Sequence, residues 1–276
     1  MSERTLVPDS AVRLENFFHK FADAPPPLLL LDYDGTLADF RVDRFKARPW
    51  AGVRELLAGI QRQGRTRMAV ITGRPPEEIA PMMGLDPHLE TWGLHGAARL
   101  YPDGRYELQK ATPVVQQKLD ELRKHLTRDS LGGLFEDKPN AAVMHWRGHS
   151  PAKARLIEQR TRELFEPLAR IEGITLLEFE AGLELRAGRD KGGAVREILR
   201  EADPRSAAAY LGDDLTDEAA FRAVNGAQGP HLSVLVRRQW RETVADVWLQ
   251  PPGELRLFLK KWLAAASTNQ HAATEG

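Results

Sequence analysis

The fold is decided by residues 28–37, which read Leu-Leu-Leu-Leu-Asp-Tyr-Asp-Gly-Thr-Leu. The four leucines are typical of a short strand buried on both faces. The run ends at Asp32, Asp34 follows two residues later, and Gly35 allows a sharp turn. A carboxylate there is costly without a partner, and this end of a strand is where open α/β sheets bind ligands. We interpret the two acids as ligands for a hard cation, with one of them free for covalent chemistry. The simpler alternative is an Asp-Gly turn with Asp32 at the surface.

Composition narrows the class of protein. The 276 residues suffice for one large domain or two modest ones, and the 42% hydrophobic content is ordinary for a globular chain. Lys and Arg total 39, as do Asp and Glu, so the formal net charge is +0. A neutral chain has no overall attraction to nucleic acid or to an anionic membrane. The absence of cysteine excludes disulfides, thiolate metal sites and a thiol nucleophile.

No segment of the sequence has the pattern of a secretion signal or of a membrane span. Residues 1–10 lack the apolar core of a signal peptide. The longest strongly apolar run, Leu28 to Leu31, is far shorter than the ~20 residues that cross a bilayer. We therefore expect a soluble, cytoplasmic protein that binds neither nucleic acid nor membrane.

The two ends of the chain share a repeating strand–turn–helix pattern. A second apolar stretch, 68–71, runs into Thr72-Gly73-Arg74, and two prolines followed by two glutamates then mark a helix start. The pattern resumes with a helix from Lys191 and apolar strands at 208–211 and 233–236. These units predict an α/β core with a Rossmann-like parallel sheet.

The middle of the chain has a different pattern, with two hairpins and two helices. The indicated elements are a hairpin turn at 101–106, helices at 113–127 and 151–170, and strands at 141–146, 174–180 and 183–186. Hairpins mixed with helices are typical of an α+β module. We predict a discontinuous core of residues 1–97 and 189–276, with an inserted α+β cap domain at 98–188.

Four polar clusters follow predicted strands or begin predicted helices, and each suits phosphoryl transfer. Asp32 can attack phosphorus to form an aspartyl phosphate, and Asp34 can protonate the leaving alcohol and then activate water. Thr72 can hold phosphate oxygens, and Lys191 can offset the charge of the nucleophile and the phosphoryl group. Asp213 can complete an oxygen-rich site for magnesium.

In this order the clusters resemble the haloacid dehalogenase superfamily of phosphotransferases. The matching motifs are Asp-Tyr-Asp-Gly-Thr-Leu at 32–37, Thr-Gly-Arg at 72–74, Lys-Gly at 191–192 and Gly-Asp-Asp at 212–214. The resemblance implies that Asp32 is the nucleophile and Asp34 the acid/base, with Thr72 and Lys191 as further catalytic residues. It implies Mg²⁺ bound by Asp32, by the backbone carbonyl of Asp34 and by Asp213. Gly35 and Arg74 are then expected to contact the substrate.

The inserted module resembles trehalose-6-phosphate phosphatases more specifically. Glu-Asp-Lys at 136–138 and His-Trp-Arg at 145–147 are similar to that family's Glu-x-Lys and His-x-Arg signature, and Glu184 fits as well. The resemblance implies a cap in which Glu136, Lys138, His145, Arg147 and Glu184 bind the disaccharide. It also implies hydrolysis of trehalose 6-phosphate to trehalose and phosphate, the last step of trehalose biosynthesis. Functional coupling to a trehalose-6-phosphate synthase is the expected partnership.

Three alternatives stay open at this point. The chain could be another sugar-phosphate phosphatase of the same superfamily, which a substrate panel would reveal. It could be a signalling receiver domain, although the length, the Asp-x-Asp spacing and the inserted module argue against this. It could also be an inactive regulatory partner of a trehalose-synthesising enzyme, although all four motifs are present. Individual residues also have simpler, non-functional interpretations. Lys191 could be an ordinary lysine in the first turn of a helix, and His145 and Arg147 could form the solvent-exposed face of a strand.

Overall fold

The chain divides into two units in the computed structural model, which describes residues 10–21, 25–41, 43–109, 111–128, 132–138, 140–171, 173–179 and 181–267. Residues 1–108 together with 190–276 are named the core unit, and residues 109–189 the insert unit. Each unit has its own sheet and its own hydrophobic core.

The core unit is built on one eight-stranded sheet. Its strands are β1 (Leu28–Leu31), β2 (Arg67–Ile71), β3 (Glu90–Gly93), β4 (Ala98–Leu100), β5 (Tyr106–Leu108), β10 (Ala208–Gly212), β11 (His231–Val236) and β12 (Val247–Leu249). They lie in the order β12-β11-β10-β1-β2-β3-β4-β5. The pairings from β12 to β3 are parallel, and β4 and β5 continue the sheet in antiparallel fashion. The predicted α/β fold with a parallel-rich sheet is confirmed.

Strand β1 lies between β2 and β10, and this position creates the site. Leu31 is in register with Val70 of β2 and with Leu211 of β10. The polar residues that follow the three strands therefore emerge side by side. The strand order also reverses here, because the chain continues from β1 to β2 on one side and reaches β10 on the other. Such a switch point is where open α/β sheets bind ligands.

The described residues form eight α-helices. They are α1 (Ser10–Phe21), α2 (Val53–Gln63), α3 (Pro76–Met83), α4 (Pro113–Arg128), α5 (Pro151–Leu168), α6 (Lys191–Glu201), α7 (Glu218–Asn225) and α8 (Gly253–Ser267). None of them combines the length and the apolar character that crossing a membrane requires.

Alternate leucines of β1 enter different hydrophobic clusters on the two faces of the sheet. Leu29 and Leu31 pack with residues of α1, α2, α3 and α8, whereas Leu28 and Leu30 pack with residues of α6 and α7. All four leucines are buried. This is why a run of apolar residues, rather than an alternating pattern, marks the strand in the sequence.

The hairpin predicted at 101–106 belongs to the core unit, not to the insert unit. It joins β4 to β5, and Trp92 of β3 pairs with Arg99 of β4. The insert unit therefore begins at Gln109, eleven residues after the start at 98 expected for the cap. The turn signal in the sequence was sound, but it carries no information about which sheet the hairpin joins.

The insert unit has a four-stranded antiparallel sheet backed by two helices. Its strands are β6 (Phe135–Lys138), β7 (Ala141–His145), β8 (Ile174–Phe179) and β9 (Gly182–Ala187), in the order β6-β7-β9-β8. One sheet face packs against α4 and α5 through residues such as Leu119, Met144, Phe165 and Leu185. The other face carries the alternate residues, which include several charged side chains of β6 and β9.

An aromatic cluster ties α1 to α8, and Phe21→Ala should test its contribution to stability. The Phe21 ring is fully buried and lies 4.8 Å from the Trp262 ring, centroid to centroid. Truncation should lower the free energy of unfolding by roughly 3–5 kcal/mol, since a large buried ring leaves a cavity. The matched control is Leu257→Ala on α8, where the leucine is 65% exposed and the change should stay within about 0.5 kcal/mol. Chemical unfolding followed by tryptophan fluorescence measures both, and equal effects would show that the cluster is not a stabilising core.

Candidate active site

Asp32 lies directly after β1 and is almost completely buried, with 3% of its surface exposed. Its Oδ1 accepts a hydrogen bond from Lys191 Nζ at 2.8 Å, and its Oδ2 accepts one from Thr36 Oγ1 at 3.0 Å. Burial raises the pKa of Asp32 to about 7, against the opposing effect of Lys191. The strand tip therefore presents a carboxylate that is oriented through both oxygens.

Lys191 is the first residue of α6, and its ammonium group joins two carboxylates. Nζ donates to Asp32 and, at 2.7 Å, to Asp217 Oδ1. Burial by itself lowers the pKa of Lys191, but Asp217 and Asp32 outweigh this effect and raise it. A helix N-terminus disfavours a cation, so this position is explained by the two ion pairs rather than by the helix.

Asp217 uses both carboxylate oxygens within the protein. Besides Lys191, its Oδ1 accepts a hydrogen bond from Tyr210 Oη at 2.6 Å, and its Oδ2 accepts from the backbone N–H groups of Asp213 and Asp214, each at 3.0 Å. Asp214 completes a capping box with Asp217 at the start of the following helical turn. Asp217 thus fixes both the lysine and the loop that carries Asp213.

Asp213 is buried after β10, and its carboxylate packs against the Cα of Gly35. A Cβ at position 35 would lie 2.1 Å from Asp213 Oδ2, and the residue has a φ of +84°, so glycine is required on both counts. No hydrogen-bond donor to the Asp213 carboxylate is found among the described residues. A buried carboxylate beside Asp32 without a donor is the feature expected of a metal ligand.

The carboxylates of Asp32, Asp213 and Asp217 form a cluster with ligand oxygens within 4.8 Å of one another. With all three carboxylates ionised, the cluster and the Lys191 ammonium would carry a formal charge of −2, and their mutual repulsion opposes ionisation. Burial and the neighbouring Asp32 and Asp217 raise the pKa of Asp213 to about 9. A divalent cation would neutralise the cluster, and oxygen ligands of this type suit Mg²⁺. The carboxylates of Asp32 and Asp213 could therefore serve as ligands of a divalent metal ion.

Asp34 is held by Arg74 through a two-pronged ion pair. Arg74 Nε donates to Asp34 Oδ2 at 2.6 Å, and Nη2 donates to Oδ1 at 2.5 Å. The guanidinium also lies 5.7 Å from the Tyr33 ring centroid, and Glu78 is 3.8 Å from its Nη1. Arg74, predicted to contact substrate, thus contacts the predicted acid/base; its role as a substrate ligand stays a prediction.

Thr72 is placed where β2 ends, next to the tip of β1. It is buried, and its Oγ1 accepts a hydrogen bond from the backbone N–H of Arg74 at 3.2 Å. Its backbone N–H donates to Trp92 and its carbonyl accepts from His95, which fixes the turn. The Thr72 hydroxyl proton remains available to donate to a phosphate oxygen.

The insert unit brings together four of the five residues predicted to bind the sugar. Glu136 Oε2 lies 2.9 Å from His145 Nε2, and Lys138 Nζ donates to Glu184 Oε2 at 3.4 Å. All four lie on the sheet face opposite α4 and α5, since they alternate with residues of the hydrophobic core. Arg147 lies in an exposed turn just beyond β7 rather than in the strand with His145, because β7 ends at His145.

Comparison with known proteins decides the family. The trehalose-phosphatase family model matches residues 30–246, more than half of the chain. The chain belongs to the trehalose-phosphatase family. The resemblance noted in the sequence is thereby confirmed.

Relatives of this family member agree with the assignment. Trehalose-phosphate phosphatase of Mycolicibacterium paratuberculosis is 29% identical over 246 residues, which cover 85% of this chain and 61% of that protein. The chain thus spans about three fifths of the length of the curated relatives that it matches first.

Solved structures give the same picture of the fold. Trehalose-6-phosphate phosphatase of Aspergillus fumigatus is similar with a TM-score of 0.73 and 25% identity, covering 91% of this chain and 97% of that one. A haloacid dehalogenase-like hydrolase from B. subtilis matches with a TM-score of 0.58 and 17% identity, over 84% and 98% of the two chains, and shows the fold alone. The fold inferred from the sequence is therefore found in solved structures as well.

Asp217 is a further site residue, beyond those that the four sequence motifs indicate. It forms a capping box with Asp214, and it also binds Lys191 and Tyr210 in a fully buried position. The sequence does contain one indication of this role. Asp217 lies only four residues after Asp213, so both side chains belong to the same loop after β10. Tyr210 carried no signal, because an aromatic residue in a buried strand looks like ordinary core.

Stability should depend on pH through the acid cluster when metal is chelated. The pKa values of Asp32 and Asp213 are raised to about 7 and about 9, so the folded state keeps protons that the unfolded chain releases near pH 4. In EDTA, the contribution of these two groups to the free energy of unfolding is therefore greatest below pH 4–5, and it falls as the pH rises towards 9. Thermal unfolding should show this decline, and added Mg²⁺ should raise the midpoint more at pH 9 than at pH 5.

The control is Asp213→Asn, which removes one buried charge at nearly constant volume. Its midpoint in EDTA should decline less between pH 5 and pH 9 than that of the wild-type protein. Because other titrating groups are common to both proteins, the difference isolates the cluster. Identical slopes for the two proteins would contradict the assignment.

Proposed function

We propose that this protein is a Mg²⁺-dependent phosphatase that hydrolyses trehalose 6-phosphate to trehalose and phosphate through an aspartyl-phosphate intermediate. It would then catalyse the last step of trehalose biosynthesis in the cytoplasm, in functional coupling with a trehalose-6-phosphate synthase. The observation that carries the proposal is the Asp32 carboxylate, buried at a strand tip and held by Lys191. Membership of the trehalose-phosphatase family supports trehalose 6-phosphate as the substrate.

In the first half of the reaction, Asp32 forms a bond to phosphorus and the sugar alcohol leaves. Thr36 holds one carboxylate oxygen and Lys191 the other, so the nucleophile is oriented before substrate arrives. Asp34 delivers a proton to the departing alkoxide oxygen. Thr72 and Lys191 balance charge on the transferring phosphoryl group. The magnesium ion, when bound, would supply neutralisation of the repulsion between carboxylate and phosphate.

In the second half, water cleaves the acyl phosphate and regenerates Asp32. Asp34, now deprotonated, takes the proton of the attacking water, as microscopic reversibility requires of the same group. Arg74 holds the Asp34 carboxylate with two hydrogen bonds, which keeps the acid/base in one place between the two halves. Release of phosphate returns the site to its initial state.

The insert unit is proposed to recognise the sugar. Glu136 with His145, and Lys138 with Glu184, offer both donors and acceptors on one sheet face. A neutral disaccharide has many hydroxyl groups and no charge, so paired donors and acceptors are the groups that can fix its orientation. Arg147 is assigned to the same task from the family resemblance.

The direct test is phosphate release by the purified protein from trehalose 6-phosphate, with Mg²⁺ and with EDTA. Glucose 6-phosphate and sucrose 6-phosphate serve as competing substrates. The proposal requires a clear preference for trehalose 6-phosphate and a dependence on Mg²⁺. Faster hydrolysis of another sugar phosphate would identify a different phosphatase of the superfamily, and no hydrolysis at all would favour a regulatory role.

Asp32→Asn should abolish turnover while the protein stays folded. The amide cannot serve as a nucleophile at phosphorus, so kcat should fall by at least on the order of 10³-fold. Asp203→Asn is the control, because Asp203 forms an exposed pair with Arg205 at 2.8 Å, and its activity should match wild type. Circular dichroism confirms the fold of each variant, and substantial activity in Asp32→Asn would mean that another group attacks phosphorus.

Lys138→Ala should separate sugar recognition from chemistry. Loss of its contact with Glu184 should lower kcat/KM for trehalose 6-phosphate by roughly 10–10³-fold. A small aryl phosphate, which has no sugar hydroxyls, should be hydrolysed nearly as fast as by wild type. Lys118→Ala provides a control, since Lys118 forms an ion pair with Glu121 at 2.7 Å on the solvent-exposed side of α4. Equal losses on both substrates would place Lys138 in the chemistry or in the fold.

A further inference from the structure

The polar face of the insert sheet has a small residue between two long cationic side chains. Ala141 of β7 is in register with Lys138 of β6 on one side and with Arg186 of β9 on the other. One position along, Val143 is in register with Glu136 and Glu184. Side chains in register share a face of the sheet. Between these two hydrogen-bond donors, Ala141 itself contributes only a methyl group.

Arg186 is nine-tenths buried, as is its neighbour on this face, Glu184. Its Nη2 donates to Glu184 Oε1. Its Nη1 is also buried, yet it has no hydrogen-bond acceptor among the residues that the structure describes. Buried polar groups are nearly always hydrogen-bonded, so a guanidinium nitrogen without an acceptor points to a ligand oxygen.

Glu184 is held between two cations from neighbouring parts of the sheet. Lys138 approaches its Oε2 at 3.4 Å, while Arg186 binds its Oε1. The carboxylate is therefore fixed in position before any ligand binds. Beside it, the unused nitrogen of Arg186 supplies a donor next to an acceptor, which matches the paired donor and acceptor character of sugar hydroxyls.

We propose that Arg186 is a further specificity-determining residue, whose Nη1 donates to a hydroxyl oxygen of the sugar while Nη2 holds Glu184. The inference rests on the proposed function and adds a residue to its sugar site. A phosphate oxygen is the other acceptor that a guanidinium binds well. Substrates distinguish these two acceptors. Every phosphate ester carries the phosphate, whereas only the sugar ester carries the hydroxyl groups.

The experiment compares Arg186→Gln and Arg186→Lys with wild type on two substrates. We expect kcat/KM for trehalose 6-phosphate to fall by roughly 10–100-fold in the Gln variant, the usual effect of losing a hydrogen bond to a charged group. The Lys variant keeps the charge but not the planar fork, and should lie between Gln and wild type. Hydrolysis of a small aryl phosphate should stay within about twofold of wild type for both.

Direct binding gives a second measurement that does not depend on turnover. Titration calorimetry of the product trehalose in the presence of Mg²⁺ should show affinity at least about tenfold weaker for Arg186→Gln than for wild type. Arg162→Gln is the matched control, since Arg162 binds Glu178 at 2.8 Å on the opposite side of the same sheet. That variant should match wild type in both assays.

Three results would overturn the proposal. A similar loss on the aryl phosphate would assign Arg186 to the phosphate or to the fold, and undiminished activity with trehalose 6-phosphate would remove it from the site. If thermal unfolding shows that Arg186→Gln does not fold, the Arg186→Lys variant is used in its place. Trehalose binding by Arg186→Lys as tight as that of wild type would then contradict the proposal.

Failure of the proposed function gives a different result. A wild-type preference for another sugar phosphate would refute the trehalose assignment, and the same variants would then be compared on that sugar phosphate. Wild-type hydrolysis of aryl phosphate with no preference for any sugar phosphate would refute both proposals.

Discussion

The buried ammonium group of Lys191 is the constraint on which the rest of the site depends. It lies 2.8 Å from Asp32 and 2.7 Å from Asp217, and it offsets negative charge that would otherwise be buried without a partner. Asp213 lies beside this pair of ions, and its carboxylate oxygen is within 4.8 Å of those of Asp32 and Asp217. A divalent cation at these oxygens would offset the crowded carboxylates, which is the physical basis of the metal requirement proposed above.

Sheet topology supplies the geometry for that charge cluster. Asp32, Thr72 and Asp213 follow the neighbouring strands β1, β2 and β10. The backbone alone therefore places them close together, whatever rotamers their side chains adopt. Gly35 then determines how closely Asp213 can approach the β1 loop, since a Cβ would occupy the space of the carboxylate. The residues that we propose bind the sugar lie on the separate insert sheet. Under that proposal, chemistry and substrate specificity are carried by different units of the chain.

Much of this arrangement is predictable from the sequence because it is local. A run of four leucines ending in Asp-x-Asp-Gly indicates a buried strand and its turn, and the polar residues after later strands indicate where they must meet. Side-chain partners are a different matter. The pairing of Asp34 with Arg74, 40 residues away, and of Lys191 with Asp217, depends on rotamers and loop paths that no periodicity encodes. The hairpin at 101–106 is likewise recognisable as a turn, but no local pattern indicates which sheet its strands join. Arg186 has no motif of its own, and only its burial beside Glu184 draws attention to it.

The central claim is that Asp32 becomes covalently phosphorylated, and chemical trapping tests it most directly. The protein is mixed with trehalose 6-phosphate and Mg²⁺, quenched in acid within one turnover and reduced with borohydride, which converts an aspartyl phosphate to homoserine. Peptide mass spectrometry then locates the change. The account predicts homoserine at position 32, and none in a sample that contains EDTA instead of Mg²⁺. Rapid phosphate release with an unmodified Asp32, or with the modification at another acid, would contradict it.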